Sequence, residues 1–227
     1  MKLPCKITLP ILVQMDVTLD TLRHKCYYVN RDIESITMTY AIPKRTILAV
    51  VALTTFLVTF MGSSVNIALP AISSDIHIDA VMVNWISTAY LLATATCLLP
   101  FGRLADIYGR KRILTLGVMV FTLASLAIVF VSSPEAIVAL RVVQGVGSAM
   151  IATTGVAIVT AVFKEGELGR ALGISITGTY LGLSLGPVLG GLLIQNLGWR
   201  SIFWAIVPIG IVAIVLIARN IKSEWAE

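Results

Sequence analysis

Two uncharged runs, residues 80–102 and 113–134, leave this chain few folds to choose from. Each exceeds the roughly 20 apolar residues that carry a helix across a hydrocarbon layer about 30 Å thick. Between them, and overlapping the first by one residue, lies Gly102-Arg-Leu-Ala-Asp-Ile-Tyr-Gly-Arg-Lys-Arg112, with one acid and four bases in eleven residues. Such a stretch reads as a tight hairpin between two membrane helices, its bases held at one membrane face. Gly102 and Gly109 let the backbone turn closely, and Asp106 stands within reach of the surrounding cations.

Four further windows follow the same pattern. Residues 46–74 carry no charge and predict a first helix ending near Asn66-Ile-Ala-Leu-Pro70. Residues 136–163 hold a fourth helix broken only by Arg141, residues 171–199 a fifth, and the eighteen uncharged residues 201–218 a sixth. Six spans follow, an all-α membrane protein. Transmembrane barrels need alternating strands of about ten residues, and these continuous apolar runs are not that. Composition agrees: 57% of the chain is hydrophobic and 13% charged, with a mean hydropathy of +0.93.

The bases set the orientation. Of seventeen Lys and Arg, seven lie in residues 1–45, four in the loop between the second and third spans, two between the fourth and fifth, and two after the sixth. All of these share one side of a six-span bundle, and only Arg200 falls on the other. The positive-inside rule turns the rich side, with both termini, to the cytoplasm of a plasma-membrane protein. Residues 1–45 hold three prolines and no long apolar run, and predict an irregular cytoplasmic tail; initiation at Met38 is an alternative. Residues 220–227 read as a cytoplasmic end, the start of a linker. The Ile7–Val13 patch, interrupted by Pro10, makes a poor signal-peptide core.

The same placement excludes other classes. A net charge of +5 without a basic face beside aromatics does not predict a nucleic-acid partner. Cys5, Cys26 and Cys97 are too few and scattered for a disulfide framework or a metal site. Asp75-Ile-His-Ile-Asp79 reads as a polar outer loop rather than a metal site. No nucleophile–base set or phosphate loop is present, so an enzyme is not expected.

A repeat is visible at a shift of 89 residues: Gly102, Leu104 and Gly109 recur as Gly191, Leu193 and Gly198. The two copies turn at opposite faces, as inverted three-helix repeats do. Arg141 lies about six residues, roughly 9 Å, into the fourth span. A cation near the centre of an isolated span costs at least about 2.5 kcal/mol, so it should face protein or water; snorkelling to the outer interface is the alternative. Gln144 shares its face, and Gly145 leaves room beside it. Gly178, Gly182, Gly186 and Gly190 recur every four residues, a bare face that permits close helix approach, and Pro187 removes a backbone hydrogen bond and kinks the same helix.

The loop at 102–112 resembles the signature loop of the major facilitator superfamily, Gly-x-Leu-Ala-Asp-x-x-Gly-Arg-Lys-Arg, at every defined position. Asn66-Ile-Ala-Leu-Pro70 resembles the first-helix motif of its drug:proton antiporters, Leu140-Arg-Val-Val-Gln-Gly-Val-Gly147 the fourth-helix motif, and Gly182-Leu-Ser-Leu-Gly-Pro-Val-Leu-Gly-Gly191 the fifth-helix antiporter motif. With Trp85-Ile-Ser-Thr-Ala-Tyr-Leu-Leu, the likeness is to the fourteen-helix multidrug branch and covers about residues 46–219. It implies the amino-terminal half of the fold, a 3+3 inverted repeat.

The resemblance also implies roles. Gly102, Asp106, Gly109, Arg110 and Arg112 would latch the cytoplasmic side against the second half, the alternative being a solvated loop. Asn66, Arg141 and Gln144 would serve the pocket or proton transfer. Gly182, Gly186, Pro187, Gly190 and Gly191 would form a hinge and seal between halves, the alternative being packing within this half. The implied partners are membrane lipid, a small-molecule substrate, and a missing carboxy-terminal half or a second copy. No cofactor is implied beyond the proton gradient. Two departures stand out: Met61 occupies the position where many of these antiporters carry an acid, and the chain stops after the sixth span. The reading is half of an efflux antiporter, inactive alone; a half-transporter that dimerises, or a membrane interaction protein that does not transport, are the alternatives.

Overall fold

The computed structural model describes residues 44–220; the expectations for the tail before Lys44 and for the end after Asn220 lie outside the described residues. Six helices follow one another: α1 Lys44–Ile76, α2 Ala80–Tyr108, α3 Arg110–Phe130, α4 Pro134–Val162, α5 Glu165–Leu197 and α6 Arg200–Asn220. All six are long and apolar enough to cross a membrane, and each overlaps one of the six windows read from the sequence, α3, α4 and α5 ending before their windows do. Local chemistry marks the starts. Asp79 caps α2 by accepting from the Met82 N–H at 3.0 Å, and Pro134 occupies the first turn of α4, where its missing N–H costs nothing.

Two boundaries differ from the sequence expectation. The charged stretch at 102–112 is not a loop: α2 runs through Arg103 and Asp106 to Tyr108, and α3 starts at Arg110. The whole turn is Gly109, at φ 99°, a backbone state that side chains resist. Its N–H closes α2 on the Ala105 carbonyl at 3.1 Å. Gly102 lies inside α2 instead, near Thr153 of α4. The first helix likewise does not end near Pro70 but runs through it to Ile76. A proline removes one backbone hydrogen bond, which a packed membrane helix tolerates.

The helices pair as an inverted repeat requires. α1 packs chiefly on α5 and α4 chiefly on α2, while α3 joins α4 to α6. A shift of 89 residues exchanges α1 with α4 and α2 with α5, so the two main seams are images of one another. The detail repeats as well. A Cβ at Gly145 would stand 2.8 Å from the Ala93 Cβ, and one at Gly182 would stand 2.8 Å from the Phe56 carbonyl. Positions 56 and 93 shifted by 89 are 145 and 182. The two turn glycines also match, since Gly198 has φ 79° and donates to the Ile194 carbonyl at 3.0 Å.

Lipid offers helices no hydrophobic reason to associate, so these seams rest on close backbone approach and hydroxyl bonds. Along the α1–α5 seam, Ser63 donates to the Gly182 carbonyl at 3.1 Å and Ser64 to the Gly186 carbonyl at 3.0 Å. The outward faces are apolar, with Leu99 at 84% and Phe130 at 73% exposure. Such faces suit acyl chains rather than water.

Candidate functional site

The arginine that the sequence places inside a span is the largest of the fully buried side chains, at 1% exposure. It does not snorkel. Arg141 projects from α4 towards α2, where its Nε donates to the Ile86 carbonyl at 3.0 Å. One terminal nitrogen donates to Gln144 Oε1, and the guanidinium carbon lies 4.3 Å from the centre of the Tyr90 ring. Ile86 and Tyr90 are four residues apart and so share one face of α2. Burying a cation costs several kcal/mol. Hydrogen bonds from a charged donor return about 1.5–3 kcal/mol each, and a desolvated cation–π contact about 2. The partners offset the burial, and all of them are neutral.

Behind Arg141 the polar chain continues. Gln144 Nε2 donates to the Ser125 hydroxyl at 2.6 Å, and Ser125 donates to the Phe121 carbonyl of its own helix at 2.7 Å. Tyr90 donates to the Ser148 hydroxyl at 2.9 Å. α2, α3 and α4 are therefore joined through one connected set of buried groups. Gly145 is needed at its centre, because a side chain there would collide with the Tyr90 carbonyl at 2.6 Å.

Arg141 and Tyr90 form one wall of a cavity of about 320 Å³ between α1, α2, α4 and α5. Asn66 and Ser87 contribute polar groups to it, and the Ser87 hydroxyl donates to Asn66 Oδ1 at 3.0 Å. Leu183 of α5 closes another side. Its carbonyl loses the usual helical partner, because residue 187 is a proline without an N–H. Of the three predicted pocket residues, Asn66 and Arg141 thus line one cavity and Gln144 stands behind it. Met61 is fully buried in the apolar core.

The signature stretch gathers at one end of the bundle. Arg110 donates to one Asp106 oxygen through Nη2 at 3.0 Å and Nε at 3.2 Å. Its Nη1 reaches the Ala157 carbonyl of α4 at 3.2 Å. The end of α2, the start of α3 and the last turns of α4 are thus held by one side chain. Arg103 and Arg112 are exposed.

The fifth-helix motif divides in two. Gly178, Gly182, Gly186 and Gly190 are buried, and all four meet α1 of this same chain. A Cβ would stand 3.0 Å from the Ala52 Cα at Gly178, 3.0 Å from the Ser63 Cβ at Gly186 and 2.9 Å from the Ser64 Cβ at Gly190. Gly191 differs, with nothing within 4 Å, and Pro187 is half-buried beside it. At the opposite end of the bundle, Asp75 accepts from the Trp199 ring N–H at 2.9 Å and from Arg200 at 2.9 Å. Arg200 stacks 4.3 Å over that ring, so Asp75 is engaged with α6 and Asp79 with its own helix cap.

The sequence model of the Major Facilitator Superfamily matches residues 51–224. The chain belongs to the major facilitator superfamily. Membership of a transporter family sets it apart from enzymes, and its six helices fit half of the facilitator fold. Among its relatives, the riboflavin transporter RibZ of Clostridioides difficile is 36% identical over 75% of this chain and 37% of its own length. The cephamycin export protein CmcT of Amycolatopsis lactamdurans is 39% identical over 76% of this chain and 36% of its own. The tetracenomycin C resistance and export protein of Streptomyces glaucescens is 37% identical over 81% and 35%. This facilitator chain thus spans about a third of the length of these curated relatives.

The sequence singled out Arg141, Gln144 and Asn66 but not Tyr90, Ser87, Ser125 or Ser148, which complete the site. Tyr90 falls inside the quoted stretch beginning at Trp85, and its spacing from Ile86 was the available signal. Ser87 falls in the same stretch, whereas Ser125 and Ser148 carried no signal, since a hydroxyl in a membrane helix can satisfy itself on its own backbone.

Proposed function

We propose that residues 46–219 are the amino-terminal half-domain of a proton-coupled exporter of small organic molecules in the plasma membrane, with both termini cytoplasmic. The observation that carries this reading is the cavity to which Asn66, Ser87, Tyr90 and Arg141 bring polar groups amid an otherwise largely apolar lining. Buried charge in a membrane helix marks a substrate or ion pathway. Facilitators place such a site at the interface of two halves that rock about it. In this reading a carboxy-terminal half supplies the facing wall, and the Asp106–Arg110–Ala157 clamp presents the signature residues to it. Asn66 and Tyr90 orient the substrate. Arg141, tied to Gln144, sets the field in which a proton or an anionic group moves. Pro187 and Gly191 lie on the part of α5 left open to the facing half. The exporter names of several relatives support an outward direction of transport.

The test is reconstitution of the 227-residue chain in liposomes with an imposed pH gradient, with riboflavin movement as the readout. The chain alone should give no movement above protein-free liposomes. Co-expression with the carboxy-terminal half of the riboflavin transporter relative should give movement that a protonophore abolishes. Movement by the chain alone would overturn the half-domain reading in favour of a self-sufficient assembly of copies. Movement indifferent to the protonophore would overturn proton coupling.

A further inference from the structure

A second cavity, of about 450 Å³, opens between the first turns of α1 and α5. Lys44, Arg45 and Arg170 line its rim together with one acid, Glu167, and Leu48 and Phe163 line its wall. Lys44 is paired with Glu167 and sits 5.5 Å over the Phe163 ring, which fixes it at the edge of the pocket. Arg45 and Arg170 are exposed, and neither bonds an acid among the described residues. Among the described residues the lining therefore carries three bases against one acid, at the base-rich end of the bundle. We infer that this cavity is a binding site for an anionic phospholipid, which bridges the ends of α1 and α5.

Chemistry favours a lipid over a soluble anion. A free phosphate needs only donors, whereas this site sets its bases above an apolar wall that continues down the helices into the hydrocarbon region. That gradient matches a phosphodiester headgroup with the start of its acyl chains. The volume lies within the roughly 300–1,000 Å³ usual for ligand pockets. Basic pockets between membrane helices on the cytoplasmic side suit anionic headgroups, and the proposed orientation turns this end to the cytoplasm. The site also has a structural consequence. α1 and α5 form a glycine seam along their lengths, yet among the described residues only the Lys44–Glu167 pair joins the start of α1 to that of α5 by a side-chain bond. A headgroup bound by Arg45 and Arg170 adds a second tie.

Native mass spectrometry of the full chain, delipidated in detergent and offered equal phosphatidylglycerol and phosphatidylcholine, tests the inference. Each base near an anionic lipid contributes about 1 kcal/mol, so two of them predict preference for phosphatidylglycerol on the order of tenfold or more. The R45Q/R170Q variant changes two exposed side chains and should fold; its preference should fall to within about twofold, while R45K/R170K should keep it. E167Q, which removes the one acid, should raise it. No preference in the wild-type chain, or a preference that survives R45Q/R170Q, would overturn the site. Displacement of the bound lipid by millimolar inorganic phosphate would overturn the lipid in favour of a soluble anion.

Discussion

At the scale of single residues, Arg141 depends on geometry as much as on charge. Its guanidinium addresses the Ile86 carbonyl, Gln144 and the Tyr90 face in three directions. A lysine keeps the charge but is a point donor and lacks the planar fork. Arg141→Lys should therefore lower stability by about 2–3 kcal/mol, since a buried acceptor is left unmade. Tyr90→Phe loses only the bond to Ser148 and should cost about 1 kcal/mol. Thermal unfolding in detergent, followed by circular dichroism, checks the order; equal losses would mean that the fork is not what holds Arg141. Met61→Asp restores the acid that many antiporters carry but places it in the apolar core, so it should cost at least about 2 kcal/mol in the same assay. Arg141 was legible in the sequence because a charge inside an apolar span must find protein. Tyr90 and Ser125 as its supports were not, because which residues of two helices face one another depends on how the helices are registered.

At the scale of helices, the glycine repeat of α5 announced a close approach, and its period of four placed the approach on one face. What it could not announce was the partner. The hydroxyl-rich face of α1, with Thr59, Ser63 and Ser64, receives it, and single-helix periodicity does not encode such pairings. Gly182→Ala would put a methyl 2.8 Å from the Phe56 carbonyl and the Phe60 nitrogen, both backbone atoms that cannot step aside. The seam should widen, at a cost of about 1–3 kcal/mol. Gly173→Ala, on the same helix with nothing within 4 Å, should instead be neutral or stabilise by up to about 1 kcal/mol through helix propensity. A melting series on the two variants decides this; equal behaviour would mean that the seam is looser than the backbone distances imply. The same logic explains the misplaced loop at 102–112. Charge density suggested a tight hairpin spread over the stretch, but charged side chains continue a helix readily once it leaves the membrane, and Gly109 alone, at φ 99°, turns the chain.

At the scale of the whole bundle, two polar clamps stand at opposite faces. One ties α2, α3 and α4 through Asp106, Arg110 and the Ala157 carbonyl; the other ties the end of α1 to α6 through Asp75, Trp199 and Arg200. The proposed rocking of one half against another requires each half to move as a rigid body, so on that reading loosening one clamp should not reach the other. Asp75 and Arg200 side chains are 50% and 34% exposed, and an ion pair in that setting is worth about 0–1 kcal/mol. Asp75→Asn should therefore leave the global melt within about 1 kcal/mol of the parent, whereas Asp106→Asn, whose partner Arg110 is only 11% exposed, should cost about 1–3 kcal/mol. Local opening should nevertheless change, because fraying ends respond to the contacts that pin them. Hydrogen exchange by mass spectrometry should show faster exchange for Asp75→Asn near Gly198 and the start of α6 alone. For Asp106→Asn it should rise only near Gly109 and the start of α3. Faster exchange at both faces from either substitution would mean that the six helices do not form one rigid unit, and an alternating-access mechanism for this half would then have to rest on motion within it.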